Sequence, residues 1–239
     1  MQKQLEAQAA VREDFDRIAL VEDEDWNHNN HYHGVLLKHV PPRCREALEI
    51  GCGTGAFARL LAERAGRVLA LDLSPNMIRI AAERSTHYLN IDFQVGDVMD
   101  WCFSPGQFDC IASIATFHHL PLEEVVPKLQ EALRPGGVLL ILDLFKAEGP
   151  ADLVSSAVAM PVSLAMRWLK TGRLRSPRRV RQAWEAHGQH DSYLTLSEAR
   201  RTYGALLPGA QVRKHLLWRY SVIWTSVPAQ SRPASPTST

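Results

Sequence analysis

Residues 48–56 read Leu48-Glu49-Ile50-Gly51-Cys52-Gly53-Thr54-Gly55-Ala56. A short apolar run enters a glycine cluster, and helical spacing follows. Glycine lets backbone approach a ligand with no Cβ in the way. Ala47–Gly51 therefore reads as a buried strand, and Ala56–Ala65 as a helix that Gly66 stops. Moving outward, the pattern repeats. RVLALDL (67–73) is a second strand, and Ser74 caps a helix with Pro75 at its first position. IDFQVGDV (91–98) and FDCIASIA (108–115) are the third and fourth strands, Pro121–Leu133 a helix, and GGVLLILDLF (136–145) the fifth strand. Strands alternating with helices of this length predict an α/β fold, a parallel sheet with helices on both faces. Two more strands are expected within residues 205–227.

The flanks do not follow this alternation. Residues 1–20 form an amphipathic pattern through Leu5, Ala9, Phe15 and Ile18. An acidic stretch, Glu22 to Asp25, leads to a cluster of Trp26, His28, His31, Tyr32 and His33. A short helix through Leu36, Leu37 and Val40 ends at Pro41-Pro42. Residues 147–195 hold a helix-like apolar run (154–169), a basic loop and the segment WEAHGQHDSY (184–193). The expected organisation is a helical lid (1–42), a core (43–146), a cap (147–195), and a helix with a strand pair that completes the core (196–227). The Pro/Ser/Thr-rich tail (228–239) is expected to be disordered.

Composition narrows the function classes. The chain has 239 residues, 46% hydrophobic and 22% charged, with a formal net charge of +1. That is ordinary globular composition and excludes a generally basic nucleic-acid binder. Cys44, Cys52, Cys102 and Cys110 form no CxxC pair, so reduced thiols are expected rather than a disulfide frame or a zinc site. The start lacks the features of a signal peptide, and no apolar run reaches the ~20 residues of a membrane span. The expected location is cytoplasmic, without membrane insertion.

The glycine turn admits two ligands. Gly51, Gly53 and Ala56 satisfy the dinucleotide form GxGxxG/A, and Asp72 lies at the ~20-residue distance at which an acid holds ribose hydroxyls. Both readings call for an adenosine-type ligand. Glu49 separates them. A carboxylate two residues before Gly51 suits an ammonium and a sulfonium better than a pyrophosphate. Asp97, after the third strand, can accept from an adenine amino group.

LEIGCGTG (48–55), LALDLSPNMI (69–78), VGDVMD (95–100), FDCIASIATFHHL (108–120) and LRPGGVLLI (133–141) together resemble the successive motifs of class I S-adenosylmethionine-dependent methyltransferases. The closest resemblance is to the branch with ubiquinone, menaquinone and natural-product enzymes. It covers roughly residues 45–145 and implies a Rossmann-like, seven-stranded sheet, mostly parallel, with an antiparallel last strand. It implies that S-adenosyl-L-methionine is the cofactor and S-adenosyl-L-homocysteine the product. Gly51 and Gly53 would line the methionine portion, with Cys52 and Gly55 in the same turn, and Glu49 would reach the amine. Asp72 would bind the ribose hydroxyls, and Leu73 and Met77 would pack on adenine. Asp97 and the Val98 backbone would meet its amino edge, and Ile114 would lie beneath the cofactor.

For the chemistry, His118 and His119 follow the fourth strand, where open sheets place their ligand crevice. One of them is the expected base, or both orient the loop by hydrogen bonds. The lid is expected to bring Tyr32 and His31 to face the pocket, Tyr32 to bind the cofactor and His31 as a further catalytic candidate. His28, His31 and His33 lack a completing ligand pattern, so no metal is expected there. His187, His190 and Asp191 form a further set in the cap, for substrate contact or for tying the cap down. No NPPY-type segment follows the fourth strand, which disfavours DNA and protein-glutamine acceptors. Arg167, Lys170, Arg173, Arg175, Arg178, Arg179 and Arg181 form a basic segment. It reads as a solvated face rather than a nucleic-acid site. The apolar run before it is expected to cap the active site over a hydrophobic substrate. The expected activity is methyl transfer to O, N or C of a small molecule, by a monomer or homodimer. An S-adenosylmethionine binder without turnover and an NAD-dependent oxidoreductase are the competing readings.

Overall fold

The structure is a computed structural model that describes residues 2–21, 25–188 and 191–227. The expected disordered tail, most of the acidic stretch and His190 lie outside the described residues. The chain runs α1 (Gln2–Ala19), α2 (His28–His31), α3 (His33–Leu37), β1 (Cys44–Ile50), α4 (Ala56–Ala62), β2 (Ala65–Asp72), α5 (Pro75–Arg84), β3 (Ile91–Val95) and β4 (Phe108–Ile114). After a 3₁₀ turn, Phe117–His119, follow α6 (Leu122–Ala132), β5 (Leu133–Leu144), α7 (Gly149–Thr171), α8 (Arg178–His187), α9 (Leu196–Leu206), β6 (Gln211–His215) and β7 (Arg219–Thr225).

The seven strands form one sheet in the order β3-β2-β1-β4-β5-β7-β6. Strands β1 to β5 pair in parallel, and β7 runs against both β5 and β6. Adjacent residues of β5 face opposite sides. Val138, Leu140 and Leu142 pack into one core with α3 and α4, and Leu139 and Ile141 into another with α6 and α9. Both faces are covered, so the central strands are nearly continuous apolar runs. The chain order reverses between β1 and β4, which opens a crevice beyond their C-terminal ends. β3 stops at Val95, short of the expected Val98. Gly96–Val98 is therefore loop, free to turn over that crevice.

α1 lies across α5 and α8. Ile18 and Ala19 pack on Met77, and Asp16 accepts from Ser74 Oγ at 2.5 Å and from the Asn76 N–H at 3.3 Å. The N-terminal helix is thus fastened beside the end of β2.

α7 turns a mixed face inward, where Ala159, Val162 and Met166 pack on the core beside polar contacts. Asp152 pairs with Lys214 at 2.5 Å, Ser156 accepts from Trp218 Nε1 at 3.0 Å, and Ser163 Oγ meets His28 Nε2 at 2.7 Å. Leu153, Val154, Val158, Leu164, Trp168 and Leu169 face solvent. The expectation of an apolar face turned onto the active site fails for this helix. Asp152, Ser156 and Ser163 find partly buried partners on the same side as Ala159 and Met166, and the larger apolar stripe is left outside. α7 also has the length and apolarity of a bilayer span, contrary to the expectation that no segment reaches them.

Candidate functional site

A cavity of about 630 Å³ opens at the C-terminal ends of β1, β2 and β4. Its floor is the glycine turn. Gly51 N and Cys52 N both donate to Leu71 O, at 2.8 and 3.0 Å, which locks the turn to β2. Gly51 has φ +69°, and a Cβ there would stand 2.0 Å from Thr116 Oγ1. Only glycine fits both the conformation and the space.

Asp72 ends β2 and lines the cavity. One oxygen accepts from Gly53 N at 2.8 Å, the other from Ser74 N at 2.9 Å. Burial raises its pKa to about 6, and these two hydrogen bonds oppose that rise. Glu49 is 2% exposed, and its Oε2 has no hydrogen-bond partner among the described residues. Burial pushes its pKa well above the usual carboxylate range, and Asp72 adds to the effect. Two carboxylates line the bottom of the cavity, and Glu49 keeps one oxygen without a hydrogen-bond partner while Arg59 offsets part of its pKa rise, an environment that suits a cation.

The other expected residues fall into place unequally. Gly51, Cys52, Gly53, Leu73, Met77, Asp97, Val98 and Ile114 all line the cavity. Asp97 is held by the Met99 N–H at 2.8 Å. Gly55 is not on the wall. It caps α4 with φ +79°, so it shapes the turn instead. Tyr32 and His31 do not face the cavity. Tyr32 is buried, its hydroxyl accepting from Leu217 N at 3.1 Å and its ring lying on His215. His31 is exposed against Trp26 and Tyr32. The same segment brings Asn27, Asn29, Asn30 and His33 to the wall instead. Asn27 Oδ1 accepts from the N–H groups of Asn29 and Asn30, and Asn30 Oδ1 accepts from Asn27 N. This reciprocal cap starts α2 and turns the asparagine edge inward. The spacing Asn27-x-x-Asn30 was the signal for it.

A second cavity of about 330 Å³ adjoins the first, and the two share Phe15, Asn27, Asn29, Ala115, His118 and Trp184. Trp26, Trp184 and Phe15 give it aromatic walls, and Arg167 and Arg219 bring positive charge. On the shared wall, His118 Nδ1 meets Asp143 Oδ1 at 2.7 Å, and Asp143 is 1% exposed. His119 stacks beside it with ring centroids 4.0 Å apart. Burial, then the neighbouring His118, lowers the His119 pKa to about 4. α8 and the segment after it bring His187, Asp191 and Tyr193 to the same place. Asp14 arrives from α1, at 3.2 Å from His187 Nδ1. Asp14, Asp143 and Tyr193 were not anticipated as members of this group, because no sequence spacing joins them.

Comparison with known proteins places this geometry. The profile of a methyltransferase domain matches residues 47–137. An uncharacterized methyltransferase of Mycobacterium tuberculosis is 30% identical over 205 residues, covering 84% of this chain and 98% of its own. The 2-methyl-6-phytyl-1,4-hydroquinone methyltransferase of Synechocystis is 34% identical over 109 residues, 45% of this chain and 34% of that one. Among solved structures, geranyl diphosphate C-methyltransferase from Streptomyces coelicolor aligns with a TM-score of 0.65. It covers 92% of this chain and 98% of its own at 12% identity, a likeness of fold.

Proposed function

This chain belongs to the class I S-adenosylmethionine-dependent methyltransferases, and we propose that it transfers a methyl group from S-adenosylmethionine, held in the larger cavity, to O, N or C of a small, largely apolar acceptor in the smaller one. S-adenosylmethionine brings a methyl group already activated by its sulfonium, so the protein's share is alignment and exclusion of water. The observation that carries the reading is Glu49. Its buried, unpartnered Oε2 at the cavity floor suits an ammonium and repels a pyrophosphate. That argues against a dinucleotide and therefore against the oxidoreductase alternative.

The residues present fit the group. Asp72 is aimed by two backbone N–H groups, leaving its remaining lone pairs for ribose hydroxyls. Met77, Leu73 and Val98 offer an apolar slot for adenine beside Asp97. Gly51 lets the turn close against Thr116, and nothing stands within 4 Å of where a Cβ on Gly53 would be, so the backbone there is open to a ligand. On the acceptor side, aromatic walls favour an apolar or aromatic molecule, and the arginines favour one with an anionic or strongly polar end. Relatives named for hydroquinone, naphtoquinone and erythromycin substrates support a small-molecule acceptor. His118 stands on the wall common to both cavities, so it is placed to meet an acceptor atom that faces the donor.

Calorimetry with S-adenosylhomocysteine tests the cofactor half. Asp72→Ala should weaken binding at least tenfold, since charge-assisted hydrogen bonds contribute roughly 1.5–3 kcal/mol. Unchanged affinity, or tighter binding of NADH than of S-adenosylhomocysteine, would overturn the reading.

A further inference from the structure

Asp191 is a carboxylate on which three imidazoles converge. Its Oδ2 lies 3.5 Å from His187 Nε2 and 4.0 Å from His118 Nε2, and its Oδ1 lies 3.7 Å from His119 Nδ1. These distances are too long for hydrogen bonds. They match two donors sharing one cation. Ligands each about 2.1 Å from a tetrahedral metal stand about 3.4 Å apart, and wider angles bring them to about 4 Å. The ligand atoms of His118, His119 and Asp191 all lie within 4.8 Å of one another.

The far sides of the rings give a second, independent indication. His118 Nδ1 is held by Asp143 at 2.7 Å, and His187 Nδ1 by Asp14 at 3.2 Å. A ring that gives its Nδ1 proton to a carboxylate keeps a lone pair on Nε2, the tautomer a metal takes. Metal-bound histidines commonly carry such a carboxylate behind them. Tyr193 donates to Asp191 Oδ2 at 2.6 Å and aims that carboxylate. As a purely packed cluster the arrangement is poorly satisfied. Among the described residues no two of the four make a direct hydrogen bond. The four side chains are only 4–11% exposed.

We propose that His118, His119 and Asp191 bind one divalent first-row transition-metal ion, beside His187, in the wall between the two cavities. Imidazole-rich sites favour zinc, iron or nickel, whereas magnesium takes oxygen ligands. The adjoining cavity leaves a coordination position for an oxygen of the acceptor, and a hydroxyl bound there loses its proton more readily. Only this last clause rests on the methyl-transfer reading.

The test uses the untagged full chain, stripped with chelator and titrated with Zn²⁺ by calorimetry and with Co²⁺ by visible absorption. The expected result is one ion per chain, with Co²⁺ bands of a nitrogen-rich site. Asp191→Asn and Asp191→Ala should each weaken Zn²⁺ binding at least a hundredfold. Both should bind S-adenosylhomocysteine as the parent does, because Asp191 does not line the larger cavity, and that binding also shows that the variants are folded. His28→Ala with His31→Ala should keep the metal. An absence of Zn²⁺ and Co²⁺ binding by the parent, or equal binding by the variants, overturns the site. Failure of S-adenosylhomocysteine to bind the parent would strike the methyltransferase reading alone.

A separate observation concerns the outside of α7. The stripe of Leu153, Val154, Val158, Leu164, Trp168 and Leu169 is exposed, and the exposed Arg173, Arg175, Arg178 and Arg179 follow it. No acidic residue occurs from 153 to 184. We infer that this face docks in the plane of an anionic lipid bilayer. An apolar stripe with a tryptophan, flanked by cations, is the make-up of an interfacial helix. Arg167, Pro177 and Val180 beside it also line the acceptor cavity, so docking would bring that cavity next to the lipid. Full-length protein should sediment with phosphatidylglycerol vesicles and stay in solution with phosphatidylcholine vesicles. Leu164→Asp with Trp168→Ala should abolish sedimentation and leave S-adenosylhomocysteine binding intact. A protein that stays in solution with both vesicle types overturns the inference. So does a stable dimer, measured by light scattering, that the double variant dissolves, since the stripe would then be covered by a second copy.

Discussion

The floor of the larger cavity and the histidine junction beside it are built in opposite ways. The floor comes from β1, β2 and the turns that follow them, residues 49–74, with backbone N–H groups holding Asp72. Its partners are near neighbours in the sheet. The junction draws Asp14, His118, His119, Asp143, His187 and Asp191 from five separate segments, and most of its interactions are between side chains. A site made of backbone tolerates changes nearby as long as the turn survives. A site made of distant side chains depends on the cap and the N-terminal helix docking correctly.

The sharpest way to break the contrast is at the junction. His118→Ala should lower the chemical step by about 10²–10⁴-fold, the usual weight of a group acting on the transferred proton. Cofactor affinity should stay within a few-fold, as calorimetry beside single-turnover rates will show. A parallel loss of both would mean that the two regions form one site. The counterpart on the floor is Gly51→Ala. A left-handed φ and a Cβ 2.0 Å from Thr116 Oγ1 should cost about 2 kcal/mol or more, by strain and overpacking. Denaturant unfolding of Gly51→Ala and of Gly51→Ala with Thr116→Gly separates the two causes, because the second change removes the Oγ1, Cγ2 and Cβ contacts and leaves the left-handed strain.

Glu49 tests whether the floor trades stability for ligand. A buried carboxylate with an unpaired oxygen is costly in the empty protein. Glu49→Gln should therefore raise the melting temperature of the ligand-free chain by a few degrees while weakening S-adenosylhomocysteine binding. A fall in both would show that Glu49 is structural. Asp72 adds a pH signature. Its folded pKa, about 6, lies above the ordinary 3.8. Its contribution to ligand-free stability is thus greatest below pH 3.8 and is lost as pH rises through 6. Asp72→Asn should flatten that slope in pH-dependent unfolding. Cofactor affinity should run the other way and fall as pH drops below 6, where the acceptor oxygens for ribose become protonated. The smallest effect is expected at Tyr32. Tyr32→Phe removes the acceptor for Leu217 N and should cost about 1 kcal/mol, with no change in cofactor affinity.

The two regions were also unequally legible. Gly51, Gly53, Asp72, Met77 and Asp97 could be read off because strand, turn and helix follow one another along the chain, and a strand end fixes where the next side chain points. The segment 26–33 was read only in part. His31 and Tyr32 attract attention by residue type, yet the reciprocal Asn27–Asn30 cap sets the rotation of α2 and brings asparagines to the cavity. For α7 the apolar run was seen and its facing was wrong. Helical periodicity shows that two faces differ, and it is the partners of Asp152, Ser156 and Ser163 that decide which of them is buried.

What the sequence determined by itself is the α/β core, its order of elements and the glycine-lined crevice. These depend on local conformational preference and on apolar runs long enough to be covered on both faces. Tertiary structure alone decided that His118 turns toward Asp143, that α8 and the segment after it carry His187 and Asp191 over it, and that α7 shows its larger apolar side chains to the outside. Each of these is a pairing between residues 25 to 173 positions apart. Such pairings are selected by which buried polar groups find partners when the layers close, and no spacing along the chain records that choice.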